Sequence, residues 1–372
     1  MENDRWTDRF LDEMRQVGDP PADAVVQTLF EQKQIPTVNE LMKLLVRNDM
    51  PPPETLPPAA RQYFDETDDL PDWADMALIR EAEGLFGRYG VQVVLILNCY
   101  SLPLTYSMKG VRVLYDTARL YTDPKRRVVE TAQMIIDVMR PGGLESGGYG
   151  VRSAQKVRLM HAAVRHLLLK RGEWDSSLGV PINQEDLVGT MLSFSAVVVD
   201  GLRKLGIDLT ERETAAFVHA WNVVGHIMGV HAELMPANLA EADELVADII
   251  RRQFYPSMHS RAMVEALVQL MEYTIPGNLF DGIAVSLIRF FLGDHRADSL
   301  GLAEGDWTER LIRPLRLFNL LTDEMGDRDK AFARTASMFG HKWLEGMLWL
   351  ERGGERTQFN IPDELRHSWG MT

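Results

Sequence analysis

Cysteine is nearly absent from this sequence, since Cys99 is the only one among 372 residues. A single thiol cannot form an intrachain disulfide or build a Cys-rich zinc or iron–sulfur site. The sequence also has no CxxCH, HExxH or GxSxG stretch. The first absence excludes a covalently attached c-type haem, and the other two argue against a zincin protease and an α/β-hydrolase.

Positive charge and long apolar runs are also scarce. The chain has 40 Lys and Arg residues against 54 Asp and Glu residues, a formal net charge of −14. Without a basic stripe, nucleic acids and anionic membrane surfaces are poor partners. The longest apolar run, Val93–Leu97, is far shorter than a membrane span. The acidic N-terminal stretch MENDRWTDRF does not resemble a signal peptide, so we expect a cytoplasmic protein.

Apolar residues recur at spacings of three and four almost throughout, which predicts an all-α protein. The β-branched run 91–97 is interpreted as a buried helix. Pro141–Gly143, Gly201, Gly206 and Pro236 are predicted to end helices. We expect residues 1–70 to form a helical arm with a Pro-rich connector at Asp49–Pro58, and residues 71–372 to form the main helical domain.

One predicted helix begins at Pro124 and ends at Met139. It carries Arg127 and Thr131 on one face with Glu130 beside them. A surface ion pair between Arg127 and Glu130 is the ordinary interpretation of this spacing. If the face is buried, the three residues place a cation, a carboxylate and a hydroxyl together, which suits acid–base chemistry beside bound oxygen or peroxide.

A second helix, predicted over residues 153–171, has His161 in an apolar stripe with Arg158 and Arg165 one turn away on either side. His161 could be a packing histidine or the axial ligand of a haem iron, and periodicity alone favours packing. Buried arginines need acidic partners in either case. The following stretch, PINQEDL, predicts a third helix capped by Asn183 and carrying Thr190 on one side.

Three further histidines, His219, His226 and His231, lie close together in the sequence. The first two are seven residues apart, so they share a helix face and could hold a metal, although packing or helix-end positions are commoner. Gly225 and Gly229 have a small-residue spacing, which predicts close helix packing or the close approach of a flat cofactor.

Several of these motifs together resemble the DUF2236 family, also called the MpaB-type oxygenase or latex-clearing-protein family. The R-x2-H-x3-R signature is met by Arg158, His161 and Arg165. The stretches GxPINQEDLxxTxxxFS and W-x3-G-x3-G also match, the latter from Trp221. The resemblance covers roughly residues 85–300.

The resemblance implies a globin-like multi-helix bundle around a pocket for non-covalent haem b, with His161 as the proximal iron ligand. Arg158 and Arg165 would hold the haem propionates or support the histidine helix, and Thr190 would add a hydroxyl nearby. The distal pocket would be lined by residues that stand where the latex-clearing branch has R-x2-K-T. These residues are Arg127, Glu130 and Thr131, so Glu130 replaces the lysine of that branch.

The resemblance therefore predicts a haem b-dependent oxygenase acting with O2 on a hydrophobic, unsaturated small molecule. The need for an electron donor is left open. The alternatives are a non-catalytic haem or hydrophobic-ligand carrier or sensor, and a helical interaction protein with an empty pocket. Cleavage of extracellular polyisoprene is not expected, because we predict a cytoplasmic location.

Overall fold

The computed structural model describes residues 4–32, 56–117, 124–274, 282–303 and 340, with the backbone alone at 4 and at 124–127. These residues form helices joined by turns, and no strand occurs among them. A lone antiparallel bridge joins Met108 and Phe254. The prediction of an all-α protein is confirmed. Most of the predicted connector at Asp49–Pro58 lies outside the described residues.

The described α-helices are numbered here in chain order. They are α1 (Asp8–Met14), α2 (Pro20–Glu31), α3 (Pro58–Glu66), α4 (Met76–Ile96), α5 (Leu102–Tyr106), α6 (Val111–Asp116), α7 (Pro124–Met139), α8 (Tyr149–Arg171), α9 (Gln184–Phe194), α10 (Ala196–Lys204), α11 (Glu211–Ile227), α12 (Leu239–Gln253), α13 (Met258–Thr274), α14 (Ile283–Leu292) and α15 (Asp294–Ser299).

Local signals explain most of the helix ends near the predicted motifs. Helix α7 begins at Pro124 as predicted. Helix α8 begins four residues earlier than predicted and ends at Arg171. The next residue, Gly172, has a φ of +70°, the left-handed conformation that glycine adopts readily. The Asn183 side chain caps α9 by accepting a hydrogen bond from the Asp186 N–H at 3.0 Å.

The described helices belong to two compact units. The first comprises residues 1–84, 130–192 and 215–249. Its apolar core includes a cluster between α2, α3 and α8, with Val26, Phe64 and Ala162 among its buried members. The Gln155 amide donates to the Phe64 carbonyl at 2.9 Å, which ties α8 to α3. The described part of the predicted N-terminal arm thus packs on α8, while the boundary near residue 70 stays a prediction.

The second unit comprises residues 85–129, 193–214 and 250–372. Within it, α4 continues into a π-helical turn at Leu97–Ser101 and then into α5. Pro103 lacks the N–H that would continue regular α-helical bonding into this turn, which suits a local widening. The Ser101 hydroxyl donates to the Ser193 carbonyl at 2.6 Å. The interpretation of residues 91–97 as buried helix is confirmed as far as Ile96.

The stretch Met76–Tyr106 is long and apolar enough, by length and composition, to cross a membrane. Its most apolar window has a mean hydropathy of 1.2, and 72% of that window is buried inside the protein. A core helix has the same properties, so this stretch is weak evidence for a membrane span.

The prediction that Gly201 ends a helix is wrong, because this glycine lies inside α10. A Cβ at this position would lie 2.5 Å from Cγ2 of Ile96. The glycine therefore permits close contact between α10 and the end of α4, and its role is in packing rather than termination.

We expect Gly201→Ala to lower the free energy of unfolding by about 1–3 kcal/mol, the usual cost of overpacking a core. Gly87→Ala is the matched control, because a Cβ on this helical glycine would meet nothing within 4 Å. That variant should gain up to about 1 kcal/mol from helix propensity. Urea unfolding of both variants measures the difference, and equal effects would contradict the packing role of Gly201.

Candidate functional site

The predicted ligand His161 lies midway along α8 and is half-buried. Its neighbours one turn away, Val157 and Val164, are also half-buried. Helical geometry places these three residues on one face of α8, opposite Leu159 and Ala163, which are buried in the cluster with α2 and α3. The face with His161 is therefore half-buried, while the opposite face of α8 lies in the apolar core.

Arg158 contacts the start of helix α2. Its Nε donates to Oδ2 of Asp19 at 2.6 Å and its Nη2 donates to Oδ1 at 2.7 Å. Its remaining Nη1 donates to the Ile227 carbonyl at the end of α11, at 3.2 Å. Burial lowers the pKa of Arg158, but the hydrogen bonds and charge of Asp19 outweigh burial, and the net direction is upward. The group is a permanent buried cation with one bidentate partner.

Arg165 makes an equivalent set of contacts one turn after His161. Its Nη1 donates to Asp23 of α2, its Nε donates to the Pro181 carbonyl at 2.9 Å, and its Nη2 donates to the Ile182 carbonyl at 2.8 Å. Ile182 has a φ of +53°, which costs a β-branched residue about 1–2 kcal/mol. The hydrogen bond from Arg165 to the Ile182 carbonyl is therefore made to a strained residue.

The PINQEDL stretch binds the same N-terminal region. The Gln184 amide nitrogen donates to the carbonyls of Gly18 and Gly229, and its oxygen accepts from the His231 N–H at 2.7 Å. The amide group thus joins three segments of the chain. Gln184 is buried and both ends of its amide group are hydrogen-bonded, so this part of the motif holds the three segments together.

Two acidic residues of PINQEDL pair with Arg15, which is itself buried. The Arg15 Nη1 lies 3.1 Å from Oε2 of Glu185 and 3.2 Å from Oδ1 of Asp186. Burial raises the pKa of Asp186 to about 6, although the charge of Arg15 acts in the opposite direction. These contacts anchor the chain just before α2 on the start of α9.

The two glycines of the W-x3-G-x3-G motif permit close packing. A Cβ on Gly225 would collide with the Met191 sulfur. A Cβ on Gly229 would lie 2.5 Å from Oδ2 of Asp19 and 2.6 Å from Nε of Arg158. The second glycine thus leaves room for the Asp19–Arg158 pair. The sequence left open whether these glycines permit close helix packing or the close approach of a flat cofactor, and the contacts match close packing.

The predicted distal residues lie on α7. Glu130 and Thr131 are half-buried, and the side chain of Arg127 lies outside the described part of the structure. Thr190, on α9, is also half-buried, and its hydroxyl donates to the Asp186 carbonyl at 2.8 Å. In the structure, Arg158 and Arg165 thus both pair with α2 and its N-cap. The roles of the distal residues on α7 stay predictions.

His219 and His226 lie against the exposed Trp73 ring. Their ring centroids are 5.7 Å and 5.9 Å from that of the indole, both edge-to-face. Nε2 of His219 accepts from the Asp75 N–H at 2.8 Å, and burial lowers the pKa of both histidines. Among the described residues no group of three His, Cys, Asp or Glu side chains could hold a metal ion.

Sequence reasoning missed Arg15, Asp19 and Asp23, which complete these contacts. They lie more than 130 positions before their partners and match no motif. The requirement that buried arginines have acidic partners was the available signal, but it does not identify which of 54 acidic residues supplies the charge.

We expect Gly229→Ala to destabilise the protein more than Gly172→Ala. Both glycines have a positive φ, +83° and +70°, so both variants incur the backbone cost of about 1–2 kcal/mol. A Cβ at Gly172 would meet nothing within 4 Å, whereas a Cβ at Gly229 would displace the Asp19–Arg158 pair. Thermal unfolding of both variants measures the difference, and equal melting temperatures would contradict this role of Gly229.

Comparison with known proteins finds relatives over most of this chain. Residues 83–322 match the family described as ER-bound oxygenase mpaB/B'/Rubber oxygenase, catalytic domain. Rubber oxygenase of Streptomyces sp. (strain K30) is 28% identical over 300 residues, which span 80% of this chain and 73% of that protein. A solved structure of latex clearing protein LCP in the closed state superposes with a TM-score of 0.76 at 25% identity, covering 94% of this chain and 95% of that one. The resemblance drawn from the motifs is confirmed, and the chain belongs to this family of mpaB-type and rubber oxygenases.

Proposed function

We propose that this protein is a haem b-dependent oxygenase that uses O2 to oxidise a hydrophobic, unsaturated small molecule in the cytoplasm. Its family consists of oxygenases. One relative is named rubber oxygenase, and rubber is an unsaturated hydrocarbon, which supports the proposed class of substrate. The net charge of −14 agrees with an uncharged or cationic substrate.

The half-buried strip formed by Val157, His161 and Val164 is the observation that carries this proposal. A neutral imidazole is a common haem ligand, and apolar neighbours suit the face of a porphyrin. The donor set therefore fits the group: His161 would hold the iron, and Thr190 would add a hydroxyl nearby. When bound, haem b would supply an iron centre that activates O2.

The two arginines of the signature have a supporting role in this proposal. Arg158 and Arg165 donate to Asp19 and Asp23, and they hold α8 one turn before and one turn after His161. They would therefore assist the cofactor by fixing the helix that carries His161. This is the second of the two roles that the resemblance implied for them.

Glu130 is the residue proposed to move a proton during the reaction. It is half-buried on α7, next to Thr131. A carboxylate can accept a proton from the substrate or deliver one to the oxidant, a role that a protonated lysine at this position would not fill in the same way. Arg127 and Thr131 would hold the developing negative charge by donating hydrogen bonds.

We expect His161→Ala to abolish haem binding, because the imidazole is the proposed iron ligand. His166→Ala is the matched control: this half-buried histidine lies on the same helix and stacks on Phe30 at 4.4 Å. Absorption spectra of the purified, dithionite-reduced and carbon-monoxide-treated proteins measure the effect. An unchanged Soret band in His161→Ala would remove the ligand assignment.

We expect Glu130→Ala to lower turnover about 100-fold, the lower range for loss of general acid–base catalysis, while haem content stays near that of the parent protein. Oxygen uptake with squalene as the unsaturated probe measures turnover, and the Soret band measures haem. Glu130→Gln serves as the isosteric control and should lose the same activity. A parallel loss of haem and activity would indicate a structural role for Glu130.

A further inference from the structure

Helices α2 and α8 are joined by two ion pairs that lie on either side of His161. Asp19 pairs with Arg158 at 2.6 Å, and Asp23 pairs with Arg165. The carboxylates are four residues apart at the N-cap and in the first turn of α2, and the guanidinium groups are seven residues apart on α8, so each set lies on one side of its helix. We refer to these contacts as the α2–α8 ion pairs.

The start of α2 leaves the Asp19 carboxylate available for this contact. Asp19 is the N-cap residue, a position where the side chain normally accepts a hydrogen bond from the second or third residue of the helix. Here Pro21, the second residue, lacks an N–H group, and the side chain makes no capping bond to the third residue, Ala22, either. Both of its oxygens accept from Arg158 instead.

Asp23 supports the same arrangement from within α2. Its Oδ2 accepts from the Asp19 N–H at 3.0 Å, while Oδ1 accepts from Arg165. A Cβ on the preceding Gly18 would lie 2.8 Å from Oδ2 of Asp23 and 2.9 Å from Nε of Arg165. The two pairs therefore share one hydrogen-bonded turn, and each has a glycine that leaves it room.

We propose that Asp19 and Asp23 are positioning residues for His161, acting through Arg158 and Arg165. Two rigid guanidinium forks one turn before and one turn after the imidazole fix both the rotation and the axial position of α8. The orientation of the imidazole then depends on a helix near the beginning of the chain. This inference rests on the proposed function, in which His161 binds the haem iron.

The test compares Asp19→Asn and Asp23→Asn in the full chain. Asp23→Asn is the milder change, because Arg165 keeps its bonds to the two carbonyls. The readout is the iron–histidine stretching band in resonance Raman spectra of the reduced haem protein, taken at equal haem content. We expect the band to shift or broaden in both variants. Asp298→Asn is the control, since it weakens the pairing of another buried arginine, Arg289, in the second unit and should leave the band unchanged.

Hydrogen exchange of the haem-free proteins provides a second readout that does not depend on the cofactor. Loss of either carboxylate should speed amide exchange over residues 158–165 at least tenfold and should leave α13 unchanged. If exchange accelerates while the Raman band stays fixed, the ion pairs stabilise α8 without positioning His161, and the inference is wrong. If the parent protein binds no haem, the proposed function itself fails and the positioning role fails with it. An unchanged exchange pattern would show that α2 does not restrain α8.

Discussion

The buried bidentate pair between Asp19 and Arg158 is the constraint around which the first unit is arranged. Arginine stays charged in proteins, and an unpaired buried cation costs several kcal/mol. The local geometry meets that requirement: the Asp19 side chain makes no capping bond, Gly229 leaves room, and α11 ends where the Ile227 carbonyl can accept from Arg158. Three helices are thereby held together by one guanidinium group.

The helices were largely predictable because their signals are local. Pro124 starts α7 and Asn183 caps α9, and both effects act within one turn of the chain. A glycine in the sequence is a less certain signal, since glycine both ends helices and permits close packing between them. Gly201 follows the second behaviour because Ile96 of another helix lies against it, and no pattern around Gly201 records that neighbour.

In the candidate site too, residues with a local sequence signal were predicted and residues that depend on distant contacts were not. His161, Arg158 and Arg165 were identified because they lie on one helix and form one signature. Their acidic partners were not, because pairing across more than a hundred residues leaves no periodicity in the sequence. The PINQEDL stretch was recognised as a helix cap, and the structure adds a second role for it as the point where Gln184 joins three segments.

The position of α2 in the chain has one more consequence. The part that matches the oxygenase family spans residues 83–322 and contains every residue of the R-x2-H-x3-R signature. The carboxylates that neutralise the two signature arginines lie before it. A chain shortened to the matched region would keep the whole signature and still contain two buried cations without counter-charges. The functional domain is therefore larger than its sequence signature, and its physical boundary lies upstream of Asp19.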